Sequence, residues 1–272
     1  MQPLSRTELR TLRSLTHHSV RERRGAFLLE GTRALNEAMR FPEKIQMIAA
    51  TQEAASRSSI ADLLERAAGA GVKIRSLGEM HLDGVAETET PSGLVGMLIW
   101  RPARPHRAEQ LITDLERIGA GRVLCLDSVG DPGNVGSLIR SAEAFKIDAV
   151  LLGAGSVEVT NPKVVRAAVG SLLGLPYVAV GQALKPALKV LESRGWSIYR
   201  AETHRGERPP VGVPEEPWLL LVGSEARGIN PDLCTIGRAI KIPTPGSVES
   251  LNVAVAGGIL LYAFSIEGGS NG

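Results

Sequence analysis

Aromatic residues and cysteines are scarce in this chain of 272 residues. Only 4% of the residues are Phe, Trp or Tyr, which excludes a large aromatic platform on which nucleic-acid bases could stack. The two cysteines, Cys125 and Cys234, lie far apart and form no C-x-x-C pair, so we expect the ordinary reduced thiols of a cytoplasmic protein. The five histidines show no metal-ligand spacing, and the sequence therefore predicts no metal site.

Long apolar runs are also absent. No secretory segment opens the sequence, and the run 258–264 near the C-terminus is too short to cross a bilayer. We therefore expect a protein that does not associate with membranes.

Composition along the chain indicates two domains. With 272 residues and 43% hydrophobic content, the chain can bury one large core or two modest ones. The stretch 100–107 is cationic and interrupted by prolines, which is typical of a linker. We therefore predict a first domain over 1–100, a linker region over 101–117 and a second domain over 118–272.

The second domain carries a repeated strand and helix pattern. Buried-strand patterns alternate with helical ones, and such alternation predicts an α/β fold with a mainly parallel sheet. The predicted strands are 123–127, 149–152, 177–180, 197–201, 219–222 and 239–242.

The segment 124–140 reads as an apolar strand, a Gly/Pro loop and a helix. Gly136, Ser137 and Arg140 share the helix face away from the core, where the helix N-terminus and a guanidinium could hold an anion. The alternative is a solvated Arg140 that pairs with Glu143. The loop lacks both G-x-G-x-x-G spacing and a phosphate-loop lysine, so dinucleotide or triphosphate binding is not predicted.

Two further segments place polar residues beside apolar ones. The strand pattern within 218–231 stops before Glu225, at what should be the carboxyl end of a strand. After Ile242 a Pro/Gly loop leads to Ser250 and Asn252, at the mouth of an apolar helix. They could serve only as a helix cap and a first-turn residue. Because ligands bind beyond the carboxyl ends of strands in open α/β sheets, three such loops could instead converge on one site.

The three segments resemble, in order and separation, the three motifs of the SpoU (TrmH-like) branch of the SPOUT RNA methyltransferases. The resemblance covers roughly residues 123–264 and departs from the family at Thr244, usually Met, and at Ala254, often Ser. The matching positions are Asn134-x-Gly136-x-x-x-Arg140, Gly223-x-Glu225-x-x-Gly228 and Ile242-Pro243-x-x-Gly246-x-x-x-Ser250-Leu251-Asn252-Val253.

This resemblance implies an enzyme that uses S-adenosylmethionine to methylate ribose 2'-hydroxyls of RNA, above all of 23S ribosomal RNA. It also implies a deep trefoil knot in the C-terminal domain and a homodimer. The residues that it places in the catalytic and ribose-binding set are Asn134, Arg140, Glu225, Ser250 and Asn252. Those that it places around the cofactor, largely through backbone groups, are Gly223, Ile242 and Leu251.

The role of Arg140 has two versions. In the family its counterpart has been proposed as the base, yet a guanidinium stays protonated at neutral pH and is a poor proton acceptor. Either its surroundings let Arg140 take the proton, or Arg140 stays charged, orients a phosphate and stabilises the developing alkoxide. Glu225, Ser250 and Asn252 are expected to position groups by hydrogen bonds.

The first 100 residues resemble the small α/β substrate-binding domain found in many SpoU enzymes that act on ribosomal RNA, with Glu30-Gly31 followed by a helix. A basic helical stretch over 6–24 opens this domain, and only Glu8 and Glu22 oppose its arginines. We predict a phosphate-binding arm, with a solvated basic helix as the alternative. The arginines are Arg6, Arg10, Arg13, Arg21, Arg23 and Arg24.

Other functions stay open at this point. The target could be tRNA, or one rRNA nucleotide modified to give antibiotic resistance. A non-catalytic RNA-binding protein that assists ribosome assembly is the alternative from another functional class.

Overall fold

A computed structural model describes residues 1–85, 88, 91–100, 108–215 and 217–266. The chain divides into two compact units. One comprises Met1–Arg101 with Val159–Gly174, and the other comprises Pro102–Glu158 with Leu175–Gly272.

Each unit contains one β-sheet. The strands of the first are β1 (Gln2–Pro3), β2 (Ala26–Glu30), β3 (Ile45–Ala50), β4 (Lys73–Ser76) and β5 (Leu94–Ile99). Those of the second are β6 (Arg122–Asp127), β7 (Ala149–Gly153), β8 (Tyr177–Gly181), β9 (Ser197–Ala201), β10 (Trp218–Gly223) and β11 (Arg238–Ile240).

The helices surround these sheets. In chain order they are α1 (Arg6–Ser14), α2 (His18–Arg24), α3 (Thr32–Ala38), α4 (Gln52–Ala55), α5 (Ser58–Gly69), α6 (Ala108–Arg117), α7 (Pro132–Ala144), α8 (Pro162–Ala168), α9 (Leu184–Ser193) and α10 (Val253–Ser265). Short 3-10 turns lie at Pro42–Lys44, Glu79–Gly84, Ser171–Leu173 and Pro231–Leu233.

The sheet of the first unit is mixed, in the order β1-β4-β3-β5-β2. Strand β5 runs antiparallel to both of its neighbours, whereas β1, β4 and β3 are parallel. One face packs Met47, Val95 and Met97 against Leu12 and Leu15, all of which are buried. The first unit is therefore a small α/β domain.

Helix α1 begins with a reciprocal capping box. Ser5 Oγ accepts a hydrogen bond from the Glu8 amide at 3.2 Å, and Glu8 Oε2 accepts one from the Ser5 amide at 2.9 Å. Arg75 Nε approaches Glu8 Oε1 at 3.2 Å. The Ser5 amide, aided by the Ser5 hydroxyl and Arg75, lowers the pKa of Glu8 despite partial burial.

The basic stretch 6–24 forms two helices rather than one, because the chain turns between α1 and α2. Arg21 is buried at this turn, and its Nη1 donates to the carbonyl oxygens of Leu15 at 3.1 Å and Thr16 at 2.8 Å. Arg21 therefore satisfies the C-terminus of α1 and is withdrawn from the predicted phosphate-binding arm. The other five arginines of the stretch are exposed.

The sheet of the second unit is wholly parallel in the order β11-β9-β10-β6-β7-β8. All six strands overlap predicted strand patterns, although β11 ends two residues before the predicted 239–242, so the prediction of a mainly parallel α/β sheet is confirmed. Their side chains are largely buried on both faces, as expected where helices cover a parallel sheet.

The predicted linker region, 101–117, is only partly described. Residues 101–107 lie outside the described residues, and α6 occupies the remainder. Leu111 and Leu115 of α6 are fully buried in the core of the second unit. The amphipathic pattern of α6 therefore serves packing, and the domain boundaries stay a prediction.

The described residues contain neither a membrane-spanning helix nor a candidate metal site. None of the helices there has the length and apolarity needed to cross a membrane. Nor do His, Cys, Asp and Glu side chains in that part of the chain form a group of three that could hold a metal ion.

The two thiols should differ in reactivity. Cys125 lies fully buried in β6, and desolvation, together with the charge of Asp127, raises the pKa of its thiol well above the usual value. Cys234 is exposed. We therefore expect a disulfide reagent at pH 8 to modify Cys234 in the native protein and Cys125 only after unfolding. Equal labelling rates of both thiols in the native protein would contradict this burial.

Candidate active site

Strand ends from three segments meet at one edge of the parallel sheet. Strand β6 ends at Asp127 and β10 at Gly223, which are paired in register. Helix α7 follows β6, and its cap, Asp131, accepts a hydrogen bond through Oδ1 from the Asn134 amide at 2.9 Å. Because all strands run the same way, the loops after β6, β10 and β11 lie at the same edge.

Asn134, Glu225 and Asn252 form one hydrogen-bonded cluster. Asn134 Nδ2 donates to Glu225 Oε1. Asn252 Nδ2 donates to Asn134 Oδ1 at 3.0 Å and lies 3.3 Å from Glu225 Oε1. Each residue comes from a different predicted motif, so residues up to 118 positions apart converge on one carboxylate.

Asn252 is also the N-cap of α10. Its Oδ1 accepts hydrogen bonds from the amides of Ala254 at 2.9 Å and Val255 at 3.2 Å. If these residues had only a structural role, the sequence predicted Ser250 as the N-cap and Asn252 in the first turn. This prediction is wrong, because α10 begins at Val253 and Asn252 is its N-cap. One side chain thus uses its oxygen for the helix and its nitrogen for the cluster.

A cavity of about 420 Å³ opens beside this cluster. All three residues predicted to bind a cofactor, Gly223, Ile242 and Leu251, line it. Glu225 and Ser250 line it too, which joins the cavity to the hydrogen-bonded cluster. A cavity of this size suits a small organic ligand.

The cavity depends on close backbone contact at Gly223. A Cβ atom at this position would collide with the backbone of Gly228 and Ile229. Gly228 has φ of 68° and forms an isolated bridge with Ser224, to whose carbonyl its amide donates at 2.7 Å. The two glycines therefore permit the tight loop that carries Glu225.

Ser250 and Arg140 do not take part in the hydrogen-bonded cluster of Asn134, Glu225 and Asn252. Ser250 is exposed at the cavity. Arg140 is exposed on α7 and is not part of the cavity wall. Within the described ranges Arg140 has no hydrogen-bond or ion-pair partner, so the surface pair with Glu143 is not formed there.

Sequence reasoning missed Asp127 and Glu202. Asp127 is 4% exposed at the end of β6, and its Oδ2 accepts a hydrogen bond from the Asn230 amide at 2.7 Å. It therefore anchors the far side of the loop that carries Glu225. Glu202 lines the cavity just after β9. Both could have been identified from the sequence, because each is a carboxylate at the last position of a predicted apolar strand or directly after it.

Comparison with protein families matches both parts of the chain. Residues 121–262 match the SpoU rRNA Methylase family, and residues 6–96 match the MRM3-like substrate binding domain. The first match covers the cluster and the cavity.

Curated relatives span nearly the whole chain. The chain is 32% identical over 249 residues to the 23S rRNA (guanosine(2553)-2'-O)-methyltransferase RlmP of Bacillus subtilis, covering 90% of this chain and 91% of that protein. It is 30% identical over 259 residues to an uncharacterized tRNA/rRNA methyltransferase of Synechocystis, covering 93% and 89%.

Solved structures share the fold. A putative RNA methyltransferase of the TrmH family from Porphyromonas gingivalis matches with a TM-score of 0.76 and 32% identity, covering 96% of this chain and 98% of that one. The SpoU methyltransferase AviRb from Streptomyces viridochromogenes, in complex with AdoMet, matches with a TM-score of 0.75 at 24% identity, covering 96% and 97%.

The double use of Asn252 can be separated by substitution. We expect Asn252→Ala to lower the free energy of unfolding by about 1 kcal/mol, because the N-cap oxygen is lost. Asn252→Ser should recover most of this loss, since a serine hydroxyl also caps a helix. Urea denaturation measures both values. Equal stabilities for the alanine variant and the parent protein would show that the cap contributes nothing.

Proposed function

Since the chain belongs to the SpoU rRNA methylase family, we propose that it is an S-adenosylmethionine-dependent RNA 2'-O-methyltransferase whose substrate is 23S ribosomal RNA. The observation that carries this proposal is the cluster of Asn134, Glu225 and Asn252 beside a cavity lined by Gly223, Ile242 and Leu251. The relative RlmP, which carries that activity in its name, aligns over both units of the chain.

The cavity fits the cofactor by its chemistry. Backbone groups at Gly223, Ile242 and Leu251 can bind an adenosine moiety, and the carboxylates of Glu202 and Glu225 suit a ligand that carries hydroxyl donors. When bound, S-adenosylmethionine supplies a sulfonium-activated methyl group. The residues around it hold and orient the reacting groups, and such alignment accounts for much of the rate in displacement reactions.

The cluster fixes the carboxylate of Glu225. Two amide groups, from Asn134 and Asn252, are directed at Oε1. In the described structure Oε2 accepts no hydrogen bond, so it is available to a donor on the ribose or the cofactor. We propose that Glu225, Ser250 and Asn252 position these groups and that Asn134 holds Glu225 in place.

For Arg140 we favour the charged version. A guanidinium remains protonated at neutral pH, and no neighbouring group in the described residues pairs with it. Arg140 is exposed in the C-terminal half of α7, and an exposed guanidinium is suited to bind the RNA phosphate and to stabilise the oxyanion that develops as the 2'-hydroxyl loses its proton.

The first unit is proposed to bind the RNA. Its match to a substrate-binding domain supports this role, as do the five exposed arginines of the first two helices. Phosphate contacts by such residues position a folded RNA without reading its bases. We retain the proposed division into 1–100, 101–117 and 118–272.

A homodimer is proposed from an exposed apolar stripe on α10. Val255, Ile259 and Tyr262 follow helical spacing along one face and are 52%, 41% and 57% exposed. A second copy of the chain is the proposed cover, because family resemblance implies a homodimer. The trefoil knot and the cytoplasmic location are likewise proposals that follow from family membership.

Methylation should depend on the polar cluster and on Arg140. With labelled S-adenosylmethionine and total RNA from a strain lacking the gene, we expect one new 2'-O-methyl site in 23S rRNA. Asn134→Ala and Arg140→Ala should abolish transfer, because they remove the anchor of Glu225 and the phosphate-binding cation. Arg140→Lys should retain much of the activity if charge alone suffices. Arg194→Ala, an exposed arginine just before the start of β9, is the matched control.

The outcomes separate the remaining functions. Label only in tRNA would keep the chemistry and change the substrate. Cofactor binding without any label would favour the assembly factor. Substantial methylation by Asn134→Ala or Arg140→Ala would refute the proposed roles of these residues.

The proposed dimer contact through α10 is tested by a substitution in the stripe. Ile259→Glu places a charge in the middle of the stripe, so we expect the mass measured by light scattering to fall from that of a dimer to that of a monomer. Ile118→Glu, at an apolar residue 39% exposed just after α6 in the same unit, should leave the mass unchanged. An unaltered dimer in Ile259→Glu would exclude this face.

A further inference from the structure

Strand β9 lies between the two strands that lead into the cavity. The sheet order places β9 between β11 and β10, with Ala201 paired to Ile240 on one side and Arg200 paired to Leu221 on the other. Glu202 follows directly, and its amide donates to the Ile240 carbonyl at 2.9 Å. Glu202 therefore follows the middle strand, between β10, which ends at Gly223, and the loop after β11, which carries Ile242.

A buried arginine supports this carboxylate. Arg200 is only 6% exposed. Its Nη1 donates to the carbonyl oxygens of Ile236 and Gly237, the latter at 3.2 Å, and its Nε lies 3.5 Å from Glu202 Oε1. A buried guanidinium is costly unless its donors and its charge are satisfied. The two carbonyl oxygens of the turn before β11 satisfy the donors of Arg200, and the carboxylate of Glu202 compensates its charge. The carboxylate is therefore fixed by a rigid partner.

The ion pair with Arg200 determines the kind of ligand group from which Glu202 can accept a hydrogen bond. Arg200 compensates its negative charge, and the side chain is 26% exposed toward the cavity that it lines. No described residue donates to Oε2. A charge-compensated carboxylate with a free oxygen is a good acceptor for neutral hydroxyl donors and a weak counter-ion for an ammonium group.

The other carboxylates of the cavity are placed differently. Glu225 is occupied by the amides of Asn134 and Asn252, and Glu249 is exposed in the loop before α10. Glu202 alone among these three has a buried cationic partner among the described residues.

We propose that Glu202 recognises the ribose of the nucleoside cofactor by accepting hydrogen bonds from its hydroxyl groups, and that Arg200 is the residue that positions it. This inference rests on the proposed function, because it takes a nucleoside to be the ligand of the cavity. It adds a specificity-determining residue outside the three motif segments.

The test measures affinities by calorimetry with S-adenosylhomocysteine and its 2'-deoxy and 3'-deoxy analogues. Glu202→Ala should weaken binding of S-adenosylhomocysteine by roughly 10- to 100-fold, the loss expected for hydrogen bonds to a charged group. The same substitution should have much less effect on the analogue that lacks the recognised hydroxyl. Glu207→Ala is the control, because Glu207 is an exposed carboxylate outside the cavity wall, five residues after Glu202. This variant should bind all three ligands like the parent protein.

The positioning role of Arg200 is tested by a double-mutant cycle. Arg200→Met should weaken S-adenosylhomocysteine binding in the parent protein but have little further effect in the Glu202→Ala background, because both changes remove one interaction. Arg200→Lys should recover part of the affinity. Additive losses in the cycle would mean that Arg200 acts on the fold rather than through Glu202.

Several results would overturn the inference. Unchanged affinity in Glu202→Ala would exclude the contact, and equal losses for all three ligands would exclude the ribose hydroxyls as its target. If the parent protein bound none of the ligands, both this inference and the proposed function would fail. Normal binding with the expected hydroxyl dependence but no RNA methylation would support the inference while the proposed function failed.

Discussion

The side-chain amide of Asn252 is the interaction on which the site depends. Its oxygen starts α10, and its nitrogen reaches Asn134 and Glu225 from the two other loops. An asparagine can do both because its amide carries an acceptor and two donors on one rigid group. The position of α10 and the position of the Glu225 carboxylate are therefore set by the same side chain.

Prediction from the sequence succeeded where the pattern is repetitive. Each strand of the parallel sheet is a short buried run bounded by turn residues, and such runs are visible without the structure. The convergence of Asn134, Glu225 and Asn252 followed from motif order, because parallel strands deliver their loops to one edge. The catalytic roles of these residues are proposals that the geometry makes reasonable, and they await the variants described above.

What the sequence could not provide depends on three-dimensional partners. Arg21 belongs by pattern to a basic helix, yet the turn after α1 draws it inward to bind two carbonyl groups. Arg200 stands in an apolar strand pattern, and the turn at Ile236 and Gly237, together with Glu202, explains a cation there. Local periodicity carries no information about contacts separated by 36 residues, so such anchors emerge only from the fold.

Three carboxylates lie at neighbouring strand ends of the second unit, and their hydrogen-bond and ion-pair partners distinguish their roles. Asp127, at the end of β6, is buried and holds the Asn230 amide. Glu225, after β10, is held by two side-chain amides, and Glu202, after β9, by a guanidinium. A backbone partner makes the first carboxylate structural, because its acceptor capacity is used within the loop. The other two line the cavity, and among the described residues no donor reaches their second oxygen, which is the property that a ligand-binding group requires.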